Sequence, residues 1–317
     1  MKSIITLSFF ILNSINIIHA QTYHAAVGGE LEEKFGGISK TNDNGYILTG
    51  LTRSFGGLLV FGAKLDPDLN PEWSKGYYST TTTFYGQGAI NTSDNGYLLT
   101  GYSYNGTTGR DLVVVKTNSL GDTLWTKTVH SGTGDEYAVK AVETYDEKYA
   151  ICGTVYNVSS PSREVFLMKL DTNGSVIFTK AFGTSGYEII RDFEETSDNG
   201  FIICGYQSGG SVLIKTDNTG AVQWAKSYSG SGSNYFYRVK QTSDGGYMVV
   251  GSSKSFGNGN NCFFAVKTNS IGDTLWTSAF GGSLYDYAYD VVEREDGGFF
   301  VAGYSRSYGH GDRKSVV

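Results

Sequence analysis

The stretch VKTNSLGDTLW, Val115 to Trp125, returns as VKTNSIGDTLW at Val266 to Trp276, 151 positions later with one residue changed in eleven. It belongs to a longer period. A turn followed by an apolar run recurs as DNGYILTG from Asp43, DNGYLLTG from Asp94, EKYAICG from Glu147, DNGFIICG from Asp198, DGGYMVVG from Asp244 and DGGFFVAG from Asp296. The position before the aromatic is Gly45, Gly96, Lys148, Gly200, Gly246 and Gly298, in steps of 51, 52, 52, 46 and 52. From there to the lysine that closes the next apolar run the distances are 19, 20, 21, 15 and 21, ending at Lys64, Lys116, Lys169, Lys215 and Lys267. One loop is about six residues shorter and the rest of the unit is constant. A period of this length dictates a repeat architecture before any local motif is weighed.

Each unit divides into four strand-like runs, which in one copy are GAINT, GYLLTGYSY, DLVVVKT and DTLWTKTV. Asp-Asn-Gly or Asp-Gly-Gly separates the first two, supplying residues that tolerate φ > 0 in a tight turn. N/D-x-x-G separates the last two. The residue seven past that Asp or Asn is always aromatic: Trp73, Trp125, Phe178, Trp224 and Trp276. No 3.6-residue apolar period is visible. Four short antiparallel strands per unit predict an all-β chain, a β-propeller of about six four-stranded blades with the recurrent aromatics filling the wedge between blades. High Gly (43) and abundant Tyr (23) and Phe (18) with only 3 Pro suit many short strands joined by tight turns. TYHAAVGG from Thr22 aligns with LWTSAFGG from Leu275, so the segment Tyr23 to Val27 is expected to be a lone fourth strand that completes the last blade.

Residues 1–20 read as a secretory signal peptide: one early lysine, a short apolar core and Ala20 before the cleavage point. Residues 21–311 are the propeller. The hexapeptide DRKSVV corresponds to one reading frame of a common sequencing adapter. Asp312 to Val317 are therefore expected to be non-native, with the gene running on past Gly311. Secretion to the extracellular medium or cell surface follows. The mature chain has no run of about 18 apolar residues able to span a membrane. The formal charge of −6 and the lack of a basic run disfavour nucleic acid as a partner. A monomer is expected. The three cysteines, Cys152, Cys204 and Cys262, are read as small buried side chains.

The combination DGGY, VKT-D/N-x-x-G-x-x-x-W-x-K and GG-x-x-x-D-Y resembles a group of secreted bacterial repeat β-propeller proteins, frequent in Bacteroidota and often carrying a C-terminal sorting domain for type IX secretion. The resemblance covers nearly the whole mature chain. It implies a propeller and export, and it carries no catalytic residue across.

The remaining motifs point away from catalysis. His24, His130 and His310 fall in different parts of the unit and do not converge in sequence. Sialidase-type and quinoprotein turns look similar to N/D-x-x-G-x-x-x-W but differ from it in spacing. DPDLNPEW, Asp66 to Trp73, has alternating oxygen side chains but lacks the pivotal glycine of a calcium loop, and reads as a polar turn. No cofactor or metal is implied. A binding surface is the stronger candidate. Eleven residues before each turn position stand Lys34, Tyr85, Tyr137, Ile189, Tyr235 and Tyr287, at the start of the innermost strand. The tyrosines are candidates to stack on sugars, and Arg53, Arg110, Arg163 and Arg306 on the two-to-three loops to grip acidic groups. Packing between blades, with the hydroxyls tied to backbone, is the reading that repetition at one place favours for the same tyrosines. The sequence reading is thus a non-catalytic extracellular module that binds a glycan or protein. The alternative is a carbohydrate-active hydrolase or lyase using carboxylates such as Asp135, Glu136, Glu188 and Asp286.

Overall fold

A computed structural model describes residues 5–6, 24–25, 27, 30, 32–54, 59–77, 83–104, 109–129, 134–156, 163–183, 188–257, 260–307 and 314–316. Among them the regular structure is entirely β. The chain divides into two compact units, residues 1–143 and 144–317.

In the first unit, β1 (Ile5–Thr6) and β2 (His24–Ala25) form a two-stranded pair. The strands β3 (Glu33–Lys40), β4 (Tyr46–Thr52), β5 (Leu59–Leu65) and β6 (Pro71–Tyr77) make one antiparallel sheet in chain order. The strands β7 (Thr83–Asn91), β8 (Tyr97–Tyr104), β9 (Arg110–Thr117) and β10 (Thr123–Val129) make the next, and β11 (Asp135–Glu143) lies over β7, β8 and β9. The second unit holds β12 (Tyr149–Tyr156), β13 (Arg163–Leu170) and β14 (Val176–Phe182). Two complete sheets follow: β15 (Ile189–Glu195) to β18 (Val222–Tyr228) through β16 (Phe201–Gln207) and β17 (Gly210–Thr216), then β19 (Asn234–Gln241) to β22 (Thr274–Phe280) through β20 (Tyr247–Ser253) and β21 (Cys262–Thr268). The last sheet is β23 (Asp286–Glu293), β24 (Phe299–Ser305) and β25 (Lys314–Val316). These sheets are the blades of a β-propeller fold, as the repeat requires.

Of the segment Tyr23 to Val27, expected to complete the last blade, residues 24–25 and 27 are described, and their contacts lie in the first unit. His24–Ala25 pairs with Ile5–Thr6, and Val27 packs with Leu48, Phe61, Ala63 and Leu65 of the first blade. Its valine is drawn into an apolar cluster of β4 and β5, where burial favours it. The rest of the leader, residues 308–313, Phe55 and His130 lie outside the described residues.

Three repeated contacts explain why the same residues are written in each unit. In the turn between first and second strands, Asp94 accepts from Thr92 Oγ1 at 2.5 Å and from Gly96 N at 2.9 Å, and Asn95 adopts φ 61°. A Cβ on Gly96 would lie 2.2 Å from the carbonyl oxygen of Thr117, a close approach that glycine admits here; Lys148 fills the same turn place in another blade. The third-strand lysine then reaches that aspartate. Lys116, 1% exposed, meets Asp94 at 2.8 Å and donates to its neighbouring carbonyl at Thr117 at 3.0 Å. Lys64–Asp43, Lys215–Asp198 and Lys267–Asp244 repeat the pair at 2.8 Å, and Lys169–Asp146 at 3.0 Å. An ammonium this buried is tolerable only when paired and hydrogen-bonded.

The duplicated eleven-mer supplies the third contact, between blades. Trp73 packs on Tyr97 of the following blade (5.6 Å between ring centres) and donates to Ser119 O at 3.1 Å. Lys75 bonds Asp122 at 2.6 Å and Tyr77 donates to Gly121 O at 2.9 Å. The second copy repeats the set: Trp224 on Tyr247, Lys226 on Asp273, and Tyr228 to Gly272 O at 2.6 Å. The aromatics therefore fill the inter-blade wedge, and the intervening turn is tailored to them.

Candidate functional site

The first strand of each blade carries the site. In β3, β7, β15, β19 and β23 the pairing with the second strand skips one residue: the register jumps from Phe35 to Gly37, Gly86 to Gly88, Ile190 to Asp192, Phe236 to Arg238 and Ala288 to Asp290. The unpaired residues are Gly36, Gln87, Arg191, Tyr237 and Tyr289. A bulge of this kind re-aims one side chain away from the ladder. The backbone device repeats, but the residue it presents does not. The turn aspartate, the third-strand lysine and the wedge aromatic recur from blade to blade, whereas this position ranges from glycine to arginine and tyrosine.

In the second unit the bulged residues meet the tyrosines found by sequence spacing. Tyr235 lies edge-on to Tyr206 of the preceding blade at 4.8 Å, and Tyr237 stands 6.4 Å from Tyr235. Tyr237 approaches Tyr289 at 5.4 Å and Tyr287 at 6.4 Å. Tyr287 stacks on Tyr304, its partner across the strand pair, at 5.1 Å, and Tyr289 is 5.8 Å from Tyr304. Tyr289 is 47% exposed. Burial pushes the Tyr237 hydroxyl up to about 12, while its hydrogen bond with Ser252 Oγ at 3.3 Å pulls the other way. Arg191 lies against this row, its Cζ 5.4 Å from the Tyr206 ring centre and 5.8 Å from that of Tyr237. Arg238, beside it, pairs with Asp290 at 2.9 Å and with buried Asp192 at 3.5 Å.

The first unit holds a shorter version. Tyr85 stacks on Tyr102 across β7 and β8 at 4.9 Å, and Tyr102 meets Tyr137 at 5.7 Å. Arg110 lies 5.1 Å from the Tyr102 ring centre and 5.0 Å from that of Tyr137. Its charge is committed: Asp135 accepts from Arg110 N at 2.8 Å and from Tyr137 Oη at 3.1 Å, and its other contact is the Arg110 guanidinium at 3.6 Å.

Of the residues singled out by sequence, Tyr85, Tyr137 and Arg110 come together in the first unit, and Tyr235 and Tyr287 in the second. The other three arginines stand elsewhere. Arg53 pairs with Glu32 at 3.4 Å, Arg163 lies 5.8 Å from the Tyr156 ring centre, and Arg306 is exposed beyond the end of β24. Tyr102, Tyr206, Tyr237, Tyr289, Tyr304 and Arg191 were not evident from spacing to the turn. The position nine before the turn varies, as do the positions on either side of it, so spacing alone does not mark it.

Of the carboxylates weighed for an enzyme, Asp286 is built into the frame. Asp286 is wholly buried and accepts from Ser305 Oγ, from Ser307 Oγ at 2.7 Å and from Gly282 N at 3.0 Å. Glu136 and Glu188 are 2% and 4% exposed. Glu33 and Asn234 occupy the same place in other blades, and both bond the hydroxyls at the end of their second strand. The position is a brace between the first strand and the following loop. The DPDLNPEW segment is a turn in which Asp66 accepts from Asn70 N at 2.8 Å, while Glu72 pairs with Lys64 at 3.3 Å. All three cysteines are buried and none forms a disulfide. Among the described residues no group of three metal-ligating side chains occurs, and no helix is long and apolar enough to cross a membrane. A polar cavity of about 330 Å³ opens in the second unit beside Lys148 and Lys169, but Asp146 holds both ammonium groups.

No family model matches the chain, and no curated protein matches it. Among solved structures, Sqt1 from Chaetomium thermophilum superposes with a TM-score of 0.54 at 12% identity, over 86% of this chain and 67% of that one. The S511A mutant of puromycin hydrolase complexed with PGG gives 0.52 at 10% identity, over 90% of this chain and 45% of that one. This chain thus spans less than half the length of the hydrolase chain. Likeness at such identities concerns the fold and leaves activity open.

Proposed function

We propose that this chain is an exported, non-catalytic β-propeller that binds an extracellular glycan on the tyrosine–arginine rows of its first strands. The observation that carries the reading is the bulge. A repeated backbone device presents Arg191, Tyr237 and Tyr289 where other blades present Gly36 and Gln87. Aromatic faces of this kind stack on the apolar faces of pyranose rings, and each tyrosine adds a hydroxyl for the sugar's own. Export agrees with the leader-like first twenty residues and with the resemblance to secreted repeat propellers. The test is calorimetric titration with a panel of oligosaccharides, comparing the wild-type chain with Tyr237→Ala and Tyr289→Ala. Binding that falls at least tenfold in both variants supports the reading. Retention of full affinity in both, or no binding by the wild type, rejects it.

A further inference from the structure

The binding reading above leaves the chemistry of the ligand open, and Arg191 narrows it. Its side chain is exposed at the bulge of β15. One guanidinium nitrogen, Nη2, donates to Tyr206 Oη at 3.3 Å. Among the described residues no carboxylate lies within ion-pair distance of it. Its neighbours differ: Arg238 is held by Asp192 and Asp290, and Lys240 by Glu194 at 3.1 Å. A cation that varies within a repeat, is aimed out of the ladder and has no carboxylate partner is placed for a ligand anion.

The surroundings specify which anion. A guanidinium resting on aromatic rings keeps its N–H edge open, and that edge matches a carboxylate bidentately. Beside it, half-buried Tyr237 and exposed Tyr289 lie in contact, their ring centres 5.4 Å apart and their planes tilted by 43°. The two arginines here are balanced by two aspartates, so the patch has no net field with which to collect a polyanion. Selection must come from direct contact with one planar charged group carried next to a stackable ring. We propose that Arg191, Tyr206, Tyr237 and Tyr289 form a subsite for a uronate residue of an acidic glycan, resting on the glycan-binding reading. The carboxylate accepts from the Arg191 guanidinium and the pyranose lies against Tyr237 and Tyr289.

The test titrates tetragalacturonate, its fully methyl-esterified form and the neutral cellotetraose into the wild-type chain and into Arg191→Gln, Arg191→Lys and Tyr237→Ala. The acid is expected to bind at least tenfold tighter than its ester. Arg191→Gln should bring the acid down to the level of the ester, and Arg191→Lys should retain part of the preference, because an ammonium supplies charge without the bidentate edge. Thermal unfolding of the arginine variants checks that the exposed substitution leaves the fold intact. Equal binding of acid and ester, or a preference that survives Arg191→Gln, overturns the uronate subsite. If cellotetraose and the ester bind as well as the acid and Tyr237→Ala abolishes all three, the glycan-binding reading stands and the uronate assignment falls. If none of the three binds, both fall.

Discussion

Gly121 lies beneath the indole of Trp73 from the preceding blade: at φ +76°, a Cβ there would meet three ring atoms at 3.0 Å. Gly272 stands in the same relation to Trp224, and Gly220 to Phe178. The glycine of the N/D-x-x-G turn thus serves two demands, a left-handed backbone and contact with an aromatic from the blade before it.

These two demands separate experimentally. Gly245 has φ +78° with nothing within 4 Å of a built Cβ. Gly245→Ala is expected to cost about 1 kcal/mol, the backbone penalty alone. Gly121→Ala should cost at least about 1 kcal/mol more, because the ring must move in a packed wedge. Gly245→Asn should stay within about 0.5 kcal/mol of wild type, since Asn44, Asn95 and Asn199 hold that turn place at φ 61–66°. Urea unfolding measures all three. Equal losses for the two alanine variants would show that the indole contact adds nothing.

The lysine–aspartate latch is asymmetric. Asp94→Ala strands the Lys116 ammonium, 1% exposed, with only a carbonyl acceptor. A loss of about 2–3 kcal/mol is expected, below that of a fully buried pair because half of the carboxylate faces solvent. Lys116→Met fills the same volume without a charge and should be near neutral in stability. Chemical denaturation at neutral pH compares them. A Met variant as damaged as the Ala variant would mean that the latch stabilises by attraction rather than by satisfying a buried cation.

The repeat made the fold readable because packing forces identity: the same turn aspartate, lysine, glycine and aromatic return wherever one blade meets the next. The site was only partly readable for the same reason. Counting eleven residues back from the turn finds Tyr235 and Tyr287, which pair normally in the ladder. The residues presented by the bulge, Arg191, Tyr237 and Tyr289, are set by an inserted backbone position that no composition or period announces. The arginines expected on the loops meet different neighbours, Arg110 the Tyr102 and Tyr137 rings, Arg53 Glu32 and Arg163 Tyr156, because loop position fixes where a chain runs but not what its side chain meets.

Acid should unfold the protein through the latches. The hydrogen bond from Lys64 holds the Asp43 carboxyl down at about 2, with Thr41 adding to it. Asp94 and Asp198 feel burial pushing up, but lysine and threonine hydrogen bonds outweigh it and both are lowered. Lys267 and Thr242 depress Asp244 further. A carboxyl depressed in the folded state contributes stability that is present above its unfolded value, near 3.8, and is lost as pH falls through the folded value. Glu195, raised by burial, works in the opposite sense: its contribution is present below its ordinary value and fades as pH rises through the folded one. With several aspartates against one glutamate, the unfolding temperature should fall as pH drops from about 4 towards 2. Thermal melts across that range check it, and Lys64→Met should flatten the slope. A flat profile in the wild type would contradict the role given to these pairs.

Asp286 provides the last and sharpest contrast, because a brace and a catalytic acid respond differently to the same substitutions. It is wholly buried, with Ser305, Ser307 and Gly282 as its donors. Asp286→Ala leaves these donors without their acceptor and should cost about 2–3 kcal/mol. Asp286→Asn keeps one acceptor oxygen, and Asn234 already fills this place in the preceding blade beside Ser253. It should therefore retain most of the stability, within about 1 kcal/mol of wild type. Glycan affinity, measured by the same titrations, should be little changed in the Asn variant, since one oxygen still accepts from Ser305 and the neighbouring Tyr287–Tyr304 pair keeps its place. Were the chain to hydrolyse an oligosaccharide and Asp286→Asn to abolish that turnover without loss of stability, the carboxyl would be a catalytic group and the brace assignment would be wrong.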